Sequence, residues 1–277
     1  MTQTEKLFAP SVDYNDEGLL VFENDVGLRR RFFGHKVDHP AHNNMHMLHD
    51  IVQYVTEPGD MICDPMAGAG SMMYTVSNDP TRKLVLIELG EYFSEKLQQN
   101  QIDLVSRGLI EPYNTLILSE SDCISILQVM KERFQLICFS PPYADQLQIR
   151  SGHAIYDQRE GQEGTAGIGN FTYDHPMNLG NMDEFKFNLN MRSVYQACFD
   201  AAVPGGYLGL IIKDRIKAGK RVWYSTHHIG LARDAGWSVY KIFQRVAIGM
   251  LFGHFNKQRG IKQIEDEHII FMRKAND

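Results

Sequence analysis

The sequence predicts a doubly wound, mostly parallel α/β sheet in a single domain, and three observations predict it. Strand-length apolar runs alternate with helical segments between residues 61 and 139, the rhythm that parallel crossovers produce. The first run, Met61-Ile62-Cys63, passes straight into a glycine-bearing turn, Asp64-Pro65-Met66-Ala67-Gly68-Ala69-Gly70-Ser71. The fourth, Phe134 to Phe139, passes into Ser140-Pro141-Pro142-Tyr143. Both special stretches therefore fall at the carboxyl ends of strands, where open α/β sheets place their ligands.

Taken in order, residues 1–35 read as a polar, irregular arm with an apolar piece at Leu19 to Phe22 and three adjacent cations, Arg29, Arg30 and Arg31, followed by Phe32 and Phe33. Cations beside aromatics can grip a phosphate backbone, or form a solvated turn beside a core anchor. After His39-Pro40-Ala41, the spacing of Met45, Leu48, Ile51, Val52 and Val55 predicts an amphipathic helix over 43–56. His42, His46 and His49 share its polar face without the carboxylate of a metalloprotease motif, and no metal is expected there. The crossover rhythm then gives a helix at 71–77, a strand at 84–88, a helix at 91–106, a strand at 115–118, a helix at 122–131 and the strand ending at Ser140.

Residues 144–182 break the rhythm, a length of connection expected to be either disordered or functional, a candidate target-recognition or flexible loop. Regularity returns with a helix at 183–202, the strand 207–212, a basic loop, a helix at 222–235, and two strands at 237–247 and 268–273 expected to pair antiparallel at the sheet edge. The loop carries Lys213, Arg215, Lys217, Lys220 and Arg221 against the single acid Asp214. That excess would position a phosphate backbone without reading its sequence, and a solvated loop would look the same.

Composition narrows the function classes. With 277 residues, 43% of them hydrophobic and 22% charged, the chain reads as globular, and no apolar run approaches the ~18 residues of a membrane span. The N-terminus lacks a signal-peptide pattern, which predicts a cytoplasmic chain with no membrane partner. Cys63, Cys123, Cys138 and Cys198 form no C-x-x-C pair and read as reduced thiols. A formal charge of -6 excludes a generally nucleic-acid-coated surface, so any phosphate contact must come from local patches.

The two turns carry the chemistry. Glycine at positions 68 and 70 lets backbone pass close under a bound cofactor. The third glycine of a dinucleotide fingerprint would fall at Met73, which argues for a cofactor without a pyrophosphate. Glu88, at the end of the next strand, can accept from both ribose hydroxyls, and Asp122 can accept from an adenine amino group. The set suits a phosphate-free adenosine, S-adenosylmethionine. In Ser140-Pro141-Pro142-Tyr143 two prolines withdraw two donors, leaving the Ser140 hydroxyl and the carbonyls of Ser140 and Pro141 as acceptors for an exocyclic amino group. Tyr143 offers a face for an extruded base. Either stretch alone is also met as a plain packing turn.

Asp64-Pro65-Met66-Ala67-Gly68-Ala69-Gly70-Ser71 resembles the D-P-F-x-G-x-G-T motif, and Ser140-Pro141-Pro142-Tyr143 the (D/N/S)-P-P-(Y/F) motif, of the amino-methylating DNA methyltransferases. His39-Pro40-Ala41 looks like that family's upstream cofactor motif, and Gly205-Gly206-Tyr207 to Lys213 like its fifth strand, so the similarity spans roughly residues 29–273. Met66 stands for the usual phenylalanine and Ser71 for threonine. The resemblance implies the Rossmann-like methyltransferase fold, S-adenosylmethionine as donor, a flipped base in DNA as acceptor, and, from serine at position 140, the N4 amino group of cytosine. Adenine N6 as acceptor, RNA as substrate and a non-catalytic cofactor-binding subunit are the alternatives. No separate target-recognition domain is visible, so target reading would fall to the 144–182 loop, the basic loop, Arg29 to Arg31, a second copy of the chain or a recognition subunit.

Overall fold

The computed structural model describes residues 6–34, 42–77, 79–143, 175, 177–217, 219–247 and 263–276. The segment given above to the arm holds two short strands, β1 (Asp13–Tyr14) and β2 (Leu20–Val21), and a helix, α1 (Val26–Phe33). Then follow α2 (Met45–Val55), β3 (Met61–Asp64), α3 (Met73–Ser77), β4 (Lys83–Ile87), α4 (Glu91–Ser106), β5 (Thr115–Leu118), α5 (Cys123–Val129) and β6 (Phe134–Phe139). The second half runs α6 (Glu184–Ala201), β7 (Ala202–Ile212), β8 (Arg215–Lys217), β9 (Lys220–Val222), α7 (Tyr224–Asp234), β10 (Ser238–Val246) and β11 (Asp266–Arg273). The stretch read as a basic loop is thus a β8–β9 hairpin, paired Arg215 to Val222 and Lys217 to Lys220.

Nine strands form one sheet in the order β1-β2-β10-β11-β7-β6-β3-β4-β5. β3 to β7 are mutually parallel, and β11 runs antiparallel between β7 and β10. The expected antiparallel pair is present, but the returning strand β11 is inserted inside the sheet. Beyond β10 the edge is continued by β2, which is parallel to it, and by β1.

Period-2 alternation along the strands divides the core into two layers. Ile62, Leu84, Leu86, Leu136, Cys138, Ile211 and Phe271 pack with α1, α2 and α4 on one face. Cys63, Val85, Ile87, Ile137, Phe139, Leu210 and Ile270 pack with α6 and α7 on the other. Both faces being covered, the central strands are apolar throughout, which is why they read as continuous runs. Cys63, Cys138 and Cys198 are buried free thiols, as expected.

Local signals start the helices. Asn44 caps α2 by accepting from the Met47 N–H at 3.0 Å, Asp122 caps α5, and Asp183 caps α6 by accepting from Lys186 N–H at 2.9 Å, each satisfying donors that a helix start leaves orphaned. β7 begins earlier than its apolar run because Gly206 lets it press against β6: a Cβ there would lie 2.8 Å from the Val203 carbonyl oxygen and 3.0 Å from that of Phe134. No helix among the described residues is long and apolar enough to cross a membrane.

Candidate active site

The chain reverses its direction of winding between β3 and β6: β4 and β5 are added on one side and β7 on the other. Neighbouring strands diverge at such a switch point, and a crevice opens at their carboxyl ends. The two turns singled out from the sequence meet there, because Ile62 and Cys63 of β3 pair with Leu136 and Ile137 of β6.

On the β3 side, the glycine turn is held by bonds to its backbone. Ala67 N–H donates to the Ile87 carbonyl at 3.0 Å and Gly70 N–H to that of Ala67 at 2.9 Å, while Asn100 from α4 donates to the Ala69 carbonyl at 3.0 Å. Gly68 and Gly70 have φ of 52° and 82°, a region that costs an L-residue about 1–2 kcal/mol. A Cβ at Gly70 would also overlap the ends of Met73 and Leu97. Met73, where a third glycine would stand, is instead a core residue packed under the turn.

Two carboxylates face this turn. Asp64, only 7% exposed, accepts from Met66 N–H at 3.1 Å. Burial, opposed by that bond and assisted by the charge of Glu88, pushes its carboxyl up to about 7. Glu88 follows β4 and bridges the turn: one oxygen accepts from Gly68 N–H at 2.8 Å and the other from Gly90 N–H at 2.9 Å. Burial raises its pKa against those bonds. The loop after β5 is tied to the same place, Ser121 N–H donating to the Glu88 carbonyl at 3.0 Å. Asp122 beside it accepts from Ile124 N–H, Ser125 N–H and Ser125 Oγ at 3.3, 2.9 and 2.7 Å. It is a cap first, with one of a carboxylate's roughly four acceptor sites to spare.

On the β6 side, Pro141 is buried while Ser140, Pro142 and Tyr143 are half-buried. Tyr143 is pinned: its hydroxyl donates to the Lys213 carbonyl at 2.8 Å and accepts from Lys213 N–H at 3.1 Å, so the turn after β6 is clamped to the end of β7. Burial raises the pKa of that hydroxyl. Its ring meets Tyr224 edge to face with centroids 5.3 Å apart, and Arg215 lies 5.0 Å over the Tyr224 ring.

The proposed phosphate grip is corrected at two positions. Arg29 is 5% exposed. It donates to Asp25 at 2.6 Å, to the Asn43 carbonyl at 2.7 Å and to Ser71 Oγ at 2.7 Å. It is a buried tie between α1, the approach to α2 and the glycine turn, its two terminal nitrogens offsetting the cost of desolvating a guanidinium. Ser71 is correspondingly the acceptor of that tie.

Arg221 is likewise spent, donating from Nε to Asp214 at 2.8 Å and with both terminal nitrogens to Asp266 at 3.1 and 2.7 Å. The acids of β11 offset the positive excess counted along the hairpin. Despite the opposing effect of burial, bonds from Ser225 and Arg221 hold the Asp214 carboxyl below its usual range, and burial lowers the pKa of Lys213.

Arg30 and Arg31 are exposed on α1, and Lys220 on the hairpin. Lys217 lies in β8. His39, Pro40 and most of the 144–182 loop lie outside the described residues. Sequence reasoning missed Arg29 as a structural tie and Tyr224 as a neighbour of the pocket. The adjacency of Arg221, Trp223 and Tyr224 was the available signal for the latter.

The chain matches no protein-family model and no curated protein. Among solved structures it is similar to a methyltransferase from Pyrococcus furiosus, with a TM-score of 0.50 and 14% identity over 91% of this chain and 94% of that one. An S-adenosylmethionine-dependent methyltransferase from Methanosarcina mazei gives 0.50 and 11% identity over 82% and 98%. TrmN from Thermus thermophilus gives 0.48 and 13% identity, and there the chain covers 83% of itself but only 49% of the other. The strand order and the two likenesses at a TM-score of 0.50 define the class at the level of fold: the chain has the Rossmann-like fold of S-adenosylmethionine-dependent methyltransferases.

Proposed function

We propose that the chain is a DNA methyltransferase that transfers methyl from S-adenosylmethionine to the exocyclic N4 amino group of cytosine in a flipped base. The observation that carries this reading is the meeting, at one switch point, of the Asp64–Ser71 turn with Ser140 to Tyr143. Cofactor and acceptor chemistry thereby share a single crevice.

The residues present fit the cofactor. The Glu88 oxygens accept from Gly68 and Gly90 N–H, and Leu89 N–H is a third backbone donor to the carboxylate, which leaves part of its roughly four acceptor sites for the ribose hydroxyls. Gly68 and Gly70 take the left-handed conformations that carry the backbone through the turn, and Gly70 leaves room beneath it for Met73 and Leu97. Asp122 has one acceptor site left for an adenine amino group. When bound, S-adenosylmethionine supplies an electrophilic methyl on a sulfonium.

The rest is positioning by this chain. Ser140 Oγ and the carbonyls of Ser140 and Pro141 accept from the amino group, draw its lone pair out of conjugation and aim it in line with the methyl. The N–C bond would form as the methyl–sulfur bond breaks, the sulfur keeping that electron pair as a neutral thioether, while one amino proton leaves along those hydrogen bonds towards solvent. Tyr143, fixed through its hydroxyl, presents a ring that cannot swing away from a stacked base.

Incubation with labelled S-adenosylmethionine and matched DNA and RNA, followed by digestion to nucleosides, tests the reading. N4-methylcytosine from DNA is expected. Label in adenine or in RNA alone would replace the acceptor, and absence of label from every substrate would overturn the enzyme.

A further inference from the structure

Trp223 stands at the junction of β9 and α7, one residue from Tyr224, and is 56% exposed. An exposed indole is unusual for a residue that normally buries most of its surface. This one is also held rigidly. Arg221 lies 4.3 Å over its ring, and the same guanidinium is fixed by Asp214 and by both oxygens of Asp266. A planar cation tied at several donors cannot wander, so the indole is backed on one face and open on the other.

The residue that follows Trp223 reaches the proposed pocket. Tyr224 touches Tyr143 of the catalytic turn and carries Arg215 over its own ring, and Lys220 is exposed on the same hairpin. Aromatic faces interleaved with cations, beside a pocket for one extruded base, are the chemistry that holds an unpaired strand.

We propose that Trp223, backed by Arg221, is the stacking platform for the unpaired DNA base next to the acceptor base, so that the substrate is engaged as a locally opened or single strand. This rests on the reading of the chain as a DNA methyltransferase. A platform of this kind grips the strand by a base face, independent of base identity.

The chain contains two tryptophans, and Trp237 is buried, its indole N–H donating to the Tyr195 carbonyl at 3.1 Å. Emission that responds to an added strand therefore reports on Trp223. Titration of the full chain with dye-labelled single-stranded DNA should quench tryptophan emission in parallel with the anisotropy of the dye. Trp223→Phe should abolish the quench while retaining binding. Trp223→Ala should raise KM for single-stranded DNA about tenfold, with kcat, cofactor affinity and Tm unchanged.

Binding by anisotropy without quenching, or an unaltered KM in Trp223→Ala, would overturn the platform and leave the methyltransferase reading intact. Quenching that follows protein concentration without DNA would also overturn it, by assigning the indole to a contact between copies. No binding and no methylation of any nucleic acid would overturn the underlying reading as well.

Discussion

On the β3–β4 side of the crevice almost every anchor is backbone. N–H groups of Met66, Gly68 and Gly90 point at Asp64 and Glu88, and the turn is closed by main-chain bonds from Ala67 and Gly70. On the β6–β7 side the anchors are side chains: Tyr143 to Lys213, Tyr224 under Arg215, and Arg221 to Asp214 and Asp266. Backbone donors are fixed by strand geometry and suit a ligand that never changes. Side-chain networks can be re-cut residue by residue, which suits the side to which the proposal assigns the acceptor.

The largest expected effect breaks the first side from behind. Arg29→Met removes the guanidinium that joins Asp25 to Ser71 and leaves the Asp25 carboxylate buried with, among the described residues, the Met45 N–H as its donor. Breaking a buried pair by removing one partner costs about 3–5 kcal/mol, so chemical denaturation should show a loss of that order. A loss below about 1 kcal/mol, the scale of a surface pair, would return Arg29 to the solvated role its sequence context allows.

Asp64 sharpens the same side through pH. Its carboxyl is raised to about 7, so between about pH 4 and 7 the native state retains a proton that the unfolded chain has released. Stability then falls as pH rises across that window, by up to about 1.4 kcal/mol per pH unit, and levels off above it. Asp64→Asn keeps the acceptor for Met66 N–H and removes the titration. The wild-type stability minus that of the variant should decline from pH 4 to 7 in parallel denaturant titrations, and a flat difference would refute the assignment.

How far these sides were legible in the sequence follows from where their partners lie. β3, β4 and β6 were legible because strands buried on both faces leave continuous apolar runs, and Asp64, Glu88 and Ser140 because each ends such a run. The insertion of β11 was not, since strand order leaves no local signal, and two-residue strands such as β1 and β2 are too short for periodicity. Arg29 was misread because its partners Asn43 and Ser71 lie 14 and 42 residues away. Arg221 was counted as free charge because Asp266 is 45 residues downstream. Local charge counting sees neighbours in sequence, whereas burial pairs charges across the fold.

Glu88→Ala tests whether the backbone-held carboxylate serves the cofactor. Hydrogen bonds to a charged group contribute about 1.5–3 kcal/mol, so calorimetry should show S-adenosylmethionine affinity reduced about ten- to hundredfold. The kcat at saturating cofactor should change less. Unchanged affinity would leave Glu88 as a clamp on Gly68 and Gly90 alone.

The smallest effect separates the ring of Tyr143 from its hydroxyl. Ser140→Ala or Tyr143→Ala should lower turnover at least tenfold with cofactor binding retained, because each removes part of the acceptor pocket. Tyr143→Phe keeps the stacking face and removes only the clamp, leaving the Lys213 N–H and carbonyl without their partner. A neutral hydrogen bond contributes about 0.5–1.5 kcal/mol net, which predicts a two- to tenfold loss of kcat with cofactor affinity unmoved. If Tyr143→Phe were as damaging as Tyr143→Ala, the hydroxyl rather than the ring would be the working part. The side-chain half of the crevice would then depend on its tie to β7 more than on the face it offers a base.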